Sequence, residues 1–275
     1  MRFLTARLSA KRRSRFAGPV VLLLGLLATG AAYAAFAPAN AASGSYDSAT
    51  VAKGRGLFLV GCASCHGQNG EGVVTQRGTQ YGPPLVGVGA AAVDFQVGTG
   101  RMPMARPGVQ AAQKPVAYTP EEVRELAAFV ATLGPGPAIP LSSQYDATNA
   151  TNEEIVRGGQ LFLTNCTACH NFAASGGALP EGKFAPTLKG VDPKYIYEAM
   201  LIGPQQMPVF SDAVMTPPDK RDIIAYLNSI QTQPKYGGAG LGSLGPVSEG
   251  LFAWIVGIGA CVLGAIWIAS KGARS

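Results

Sequence analysis

Histidine is the scarcest ionisable residue in this chain of 275: only His66 and His170 occur, and each closes a Cys-x-x-Cys-His string. A site built from several histidines, or a catalytic Cys/His pair outside those strings, has no material to be made from. Tryptophan is equally rare, and both copies, Trp254 and Trp267, fall in one apolar run near the C-terminus. Charge is sparse as well, at 14% of residues against 47% hydrophobic, so composition alone lies between soluble and membrane proteins. The net charge of +6 is an effect of the ends. Six of the 22 basic residues (Arg2, Arg7, Lys11, Arg12, Arg13 and Arg15) crowd the first fifteen positions, and without them the formal charge is zero. Residues 36–248 carry 14 basic and 15 acidic side chains. The absence of a basic face argues against nucleic acid as a partner.

Two long runs lack charge altogether. The first, from Phe16 to about Ala37, follows the basic cluster and is expected to enter a bilayer. It reads either as a retained anchor, being longer than the ~7–15 apolar residues of a secretory signal, or as a signal cleaved near the small residues Ala39-Asn40-Ala41. The second, Leu251 to Ala269, has about the ~20 residues that cross a membrane as a helix. Its tryptophans sit near its ends, as interfacial anchors do, and Lys271 and Arg274 place the short tail on the cytoplasmic side. Residues from about 42 to 248 are therefore expected outside the cell membrane.

That exported part contains a duplication. GRGLFLVGCASCHGQNGEG at 54–72 matches GGQLFLTNCTACHNFAASG at 158–176, GPPLVGV at 82–88 matches APTLKGV at 185–191, GRMP at 100–103 matches QQMP at 205–208, and TPEEVRELAAFVATL at 119–133 matches TPPDKRDIIAYLNSI at 216–230. Four blocks in one order make two copies of one domain. The chain divides into a basic, hydrophobic N-terminus (1–41), a first domain (50–133), a Pro/Gly-rich then polar linker (134–151), a second domain (152–232), a Gly-rich connector (233–250) and the membrane run (251–269). Each copy opens and closes with a helix. Thr119-Pro120-Glu121-Glu122 and Thr216-Pro217 with Asp219 supply the cap, proline and early acids of helix starts, and Val123, Leu126, Ala127 and Val130 follow at helical spacing. No segment alternates with period two, so the fold is expected to be all-α.

Cys62-Ala63-Ser64-Cys65-His66 and Cys166-Thr167-Ala168-Cys169-His170 are haem c attachment strings. Cysteines three apart reach the two vinyl groups of one haem, while the adjacent histidine turns its imidazole onto the iron. Two strings at matching places in an exported repeat predict two covalently bound haem c groups. Disulfide and zinc readings fit less well, the latter for want of ligands. Cys261 remains as the one thiol outside the strings, inside the C-terminal run.

A haem with one axial histidine either takes a sixth ligand or keeps an open site. Met102 and Met207 lie 36 and 37 residues after their histidines, each before a proline. A thioether ligand favours Fe(II), raises the potential and leaves no vacancy for a substrate. The metal ligands expected are thus His66 and Met102, and His170 and Met207. Met104 is the rival of Met102, which alone keeps register with Met207. Met200 and Met215 have no counterparts in the first copy and are expected to pack. Pro83 and Pro186, shortly after the haem strings, are either turn prolines or the source of a carbonyl that accepts the imidazole N–H.

These residues together resemble two class I cytochrome c domains in tandem. With the C-terminal membrane helix, the arrangement is similar to the dihaem cytochrome c subunit of the actinobacterial cytochrome bcc complex, a menaquinol–cytochrome c reductase. The resemblance implies the carbonyl role for Pro83 and Pro186. It further implies that a first haem is held by Cys62, Cys65, His66 and Met102, and a second by Cys166, Cys169, His170 and Met207. The chain would be an electron-transfer subunit without a substrate site of its own. Its expected partners are a cytochrome b subunit, a Rieske iron–sulfur protein that donates electrons, and a cytochrome c oxidase that receives them. A dihaem subunit of a terminal oxidase or of a periplasmic dehydrogenase is the alternative.

Overall fold

The computed structural model describes residues 16–36, 46–76, 78, 80–232 and 246–272. The basic cluster, the candidate cleavage residues 39–41, residues 233–245 of the connector and Arg274 lie outside the described residues. Eight helices of ten or more residues run in order among those described: α1 (Ala17–Phe36), α2 (Ser48–Gly61), α3 (Gly89–Gly98), α4 (Pro120–Ala131), α5 (Asn152–Asn165), α6 (Pro193–Ile202), α7 (Pro217–Thr232) and α8 (Pro246–Gly272). Beside them stand two short antiparallel hairpins, Val73–Val74 with Gln80–Gly82 and Gly177–Ala178 with Phe184–Ala185. Strands of two or three residues leave no period-two pattern to read, and the chain remains an all-α fold with a hairpin in each copy.

The expected helix starts are built from side-chain caps. The Thr119 hydroxyl accepts from the Glu122 N–H, and the Glu122 carboxylate accepts in return from the Thr119 N–H. Thr151 and Glu154 form the same reciprocal pair at the head of α5, and Thr216 with Asp219 does so ahead of α7.

In each copy the first helix crosses the last. Phe58 of α2 meets Phe129 of α4 in a tilted contact with ring centroids 5.0 Å apart, and Phe162 of α5 meets Tyr226 of α7 at 5.6 Å. Phe58 and Phe162 are fully buried, which contributes about 1.5–3 kcal/mol each. Close approach depends on glycine: a side-chain carbon at Gly54 would overlap the Glu125 carbonyl, and one at Gly158 would overlap that of Asp222. An ion pair closes both crossings at equivalent places, Lys53 Nζ to Glu125 at 3.3 Å and Arg157 Nε to Asp222 at 2.7 Å. The first core gathers Phe58, Val93, Val97, Val123, Leu126 and Phe129; the second gathers Phe162, Ile196, Tyr197, Met200, Met215 and Ile223. Met200 and Met215 thus pack, as expected.

The middle helices α3 and α6 have a different job. They meet each other, so that the two copies join through Phe95 and Tyr195, in edge contact at 6.3 Å, and through Lys194 and Asp94. The side chain of Gln110 adds two bonds to the Phe184 backbone, at 2.7 and 3.0 Å.

Helix α8 is apolar enough over Val247–Gly272 to span a bilayer, and none of it is buried in the protein. Pro246 in its first turn with Glu249 suits a helix start, and Lys271 suits its end. Its apolar side chains, both tryptophans included, are exposed, as lipid-facing residues are. Helix α1 is apolar and exposed too, over a shorter stretch, Ala17–Tyr33.

Candidate haem-binding sites

Each Cys-x-x-Cys-His string continues the first helix of its copy through a tightened turn. The Cys62 N–H bonds back to the Phe58 carbonyl at 2.8 Å, and the His66 N–H to that of Cys62 at 3.0 Å. Cys166 to Phe162 and His170 to Cys166 repeat this, both at 2.9 Å. A helical turn brings residues three apart onto one face, which is where the two cysteines must be to hold one planar group.

Both histidines are then aimed by a proline carbonyl. His66 Nδ1 lies 2.8 Å from the Pro83 oxygen, and His170 Nδ1 lies 3.0 Å from that of Pro186. A carbonyl only accepts, so Nδ1 carries the hydrogen and Nε2 presents its lone pair. Two further backbone bonds fix the loop against the string in each copy. Gly72 and Leu85 donate to His66 and Gly70 at 2.7 Å; Gly176 and Leu188 donate to His170 and Ala174 at 2.9 Å. These prolines orient the imidazoles in addition to turning the chain. Burial holds the His170 imidazole below its ordinary pKa, the bond to Pro186 opposing it, and so favours the neutral, ligating form.

The thiols are equally revealing. Burial, with a smaller push from the neighbouring cysteine, raises Cys62 and Cys166 to about 11. Thiols held protonated make poor nucleophiles, which weakens the redox-disulfide reading. Among the described residues no group of three or more His, Cys, Asp and Glu is arranged to hold a metal ion. One imidazole and two thiols per turn fit a macrocycle that brings its own four nitrogens.

Met102 packs against the first core together with Cys62 and Leu85, and Met207 against the second together with Cys166 and Leu188. Each thioether therefore shares a core with the string and proline loop of its own copy. Met104 is half-buried but stands apart from the first core. The Met102 N–H bonds to the Gln96 carbonyl at 2.8 Å, and Met207 closes a turn onto Pro204 at 3.0 Å. Gly203 ends α6 in the left-handed region, with its α-carbon turned against the Met207 carbonyl, where a side chain would collide. Cys261 is exposed on α8, far in sequence from either string.

Sequence reasoning missed the partner charges. Glu125 and Asp222 occupy equivalent positions in the last helices, and their cations equivalent positions in the first, so the duplication itself held that signal. Lys220 had none. It is fully buried where the first copy has Val123, and donates to Asp212 at 2.7 Å and to the Met215 carbonyl at 2.8 Å.

Comparison with known proteins agrees with this geometry. The family model for cytochrome c matches residues 51–134, and that for cytochrome c oxidase, cbb3-type, subunit III matches residues 153–227. Proteins named cytochrome bc1 complex cytochrome c subunit are similar over nearly the whole length. That of Corynebacterium efficiens is 43% identical, with 95% of this chain and 91% of the relative covered. Those of Corynebacterium diphtheriae and Mycobacterium bovis are each 40% identical, covering 96% and 98% of this chain and 97% and 95% of the relatives. The chain carries cytochrome c domains that imply covalently bound haem c, serves electron transport, and belongs to the family of cytochrome bc1 complex cytochrome c subunits.

Proposed function

We propose that the chain is the membrane-anchored dihaem subunit of a quinol–cytochrome c reductase, accepting electrons from a Rieske iron–sulfur protein and passing them to a cytochrome c oxidase. The observation that carries this reading is the duplicated set of imidazole, proline carbonyl and thioether, intact in both copies. Cys62, Cys65, His66 and Met102 would hold one haem, and Cys166, Cys169, His170 and Met207 the other. Bound there, each haem supplies reversible one-electron exchange between Fe(II) and Fe(III). The protein side chains do the rest. The prolines fix the tautomer of each histidine and raise its basicity. Met102 and Met207 would supply thioethers that favour the reduced state and leave no vacancy for a small substrate.

Helix α8 is the membrane tether in this reading, and the basic residues after its apolar run support an extracytoplasmic position for the two domains. A tether fixes the acceptor and donor surfaces near their partners, which suits a chain whose exported part is nearly neutral and so gains little from long-range steering. Cytochrome b is expected in the same complex. The match of the second copy to an oxidase subunit favours, as the second reading, a dihaem subunit of a terminal oxidase. Purifying the solubilised chain by an affinity tag separates them. Cytochrome b and a Rieske protein in the eluate are expected; an oxidase alone, without either, rejects the reductase reading.

A further inference from the structure

The joint between the two copies contains a charge arrangement that neither haem site uses. Asp94 of α3 and Glu198 of α6 are 5% and 0% exposed, and they face each other across the joint. Lys194 Nζ lies 2.6 Å from Asp94 Oδ2, as an ion pair whose direction leaves that oxygen without an aligned hydrogen bond. Both Glu198 oxygens lack any donor. A buried carboxylate without a donor is among the costliest groups a protein can hold, and two adjacent ones with a single cation leave a net negative charge in the interior. One proton removes both difficulties, because a neutral Glu198 donates to Asp94 while Lys194 balances the single remaining charge.

We propose that Glu198 and Asp94 share a proton across the joint, and that this acid pair, neutralised by Lys194, is the positioning device that holds the two haem domains as one unit. Its consequence for electron passage rests on the function proposed above, since electron tunnelling weakens steeply with separation. The shared proton itself does not rest on that function.

Burial, reinforced by the charge of Asp94 and opposed by Lys194, pushes Glu198 up from 4.5 to about 10. The other titratable groups around the cluster are Tyr46, ahead of α2, Asp192, which caps α6, and Tyr195, beneath the Lys194 ammonium. If the joint opens, Glu198 meets water and releases its proton. The raised value therefore makes the closed joint most stable below the ordinary carboxyl range, and its stability falls as pH rises to about 10. Across that window the opening constant grows about tenfold per pH unit.

Hydrogen exchange of the full-length haem-loaded protein at the Phe184 amide tests this, because that amide donates to Gln110 across the joint. Hydroxide catalysis alone raises such rates about tenfold per pH unit, and a proton released on opening raises them about tenfold more. We expect about a hundredfold per unit for the native chain and about tenfold for Glu198→Gln, which keeps a donor but has no proton to lose. Equal tenfold slopes would overturn the proposal. Infrared spectroscopy of the native protein needs no variant: the carbonyl stretch of a protonated carboxyl group should be present at neutral pH and fade only near pH 10. No such band at neutral pH would equally overturn it. Both readouts are independent of which complex the chain joins, so an oxidase assembly would remove the proposed function and leave this result standing.

Discussion

At the residue scale, the proposed ligands differ in how they were legible. The cysteines and histidines follow from adjacency in sequence, because one helical turn is enough to bring them together. The methionines depend on register between two copies, and the structure adds that Met102 and not Met104 packs on the core shared with Cys62. The Lys220 ammonium was invisible, since a lysine beside a helix start normally reads as solvated surface, and only the fold shows that Asp212 and the Met215 carbonyl enclose it. The ligand assignment is open to substitution. Met102→Leu and Met207→Leu should each leave both haems covalently attached, abolish the iron–sulfur absorption band of one haem and lower its potential. Redox titration with optical detection reads both effects; a variant with unchanged spectrum and potential removes that methionine from the coordination sphere. Cys65→Ala should lose one covalent thioether bond in the first copy alone, as pyridine haemochrome spectra of the purified protein would show.

At the scale of elements, the last helix of each copy was readable from its cap and apolar spacing, and the first from the repeated apolar block that leads into the string. The middle helices were not. Helix α3 begins at Gly89 without a side-chain cap, and it is buried on most sides, so it shows neither a start signal nor an amphipathic stripe. Helix α6 does carry Asp192 and Pro193 at its start, a signal present but unused. The hairpins are too short for any period. The crossing of α2 over α4 gives a test within one helix. Gly54→Ala, whose methyl group would overlap the Glu125 carbonyl, should cost about 1–3 kcal/mol because the helices must part. Gly56→Ala on the same helix meets nothing and should stabilise by about 0.5–1 kcal/mol through helix propensity. Denaturant unfolding of the two variants checks the pair; equal effects would mean that the crossing is not held by backbone contact.

At the scale of the whole molecule, sequence revealed the duplication and the apolar C-terminal run, but not how the copies meet. The joint is made by Asp94, Phe95, Lys194, Tyr195 and Glu198, none of which belongs to the four repeated blocks. A duplication reveals the blocks that the copies have in common, and this joint falls between those blocks. In the function proposed above, two haem-holding units share one membrane tether, each with an oriented imidazole and a thioether on a common core. Both irons would then be closed, so that the chain would carry electrons and bind no gas or peroxide. Adding carbon monoxide to the fully reduced protein at neutral pH separates closed from open irons: the absorption spectrum should stay unchanged at both haems, and a rapidly formed carbon monoxide adduct at either one would refute six-coordination there.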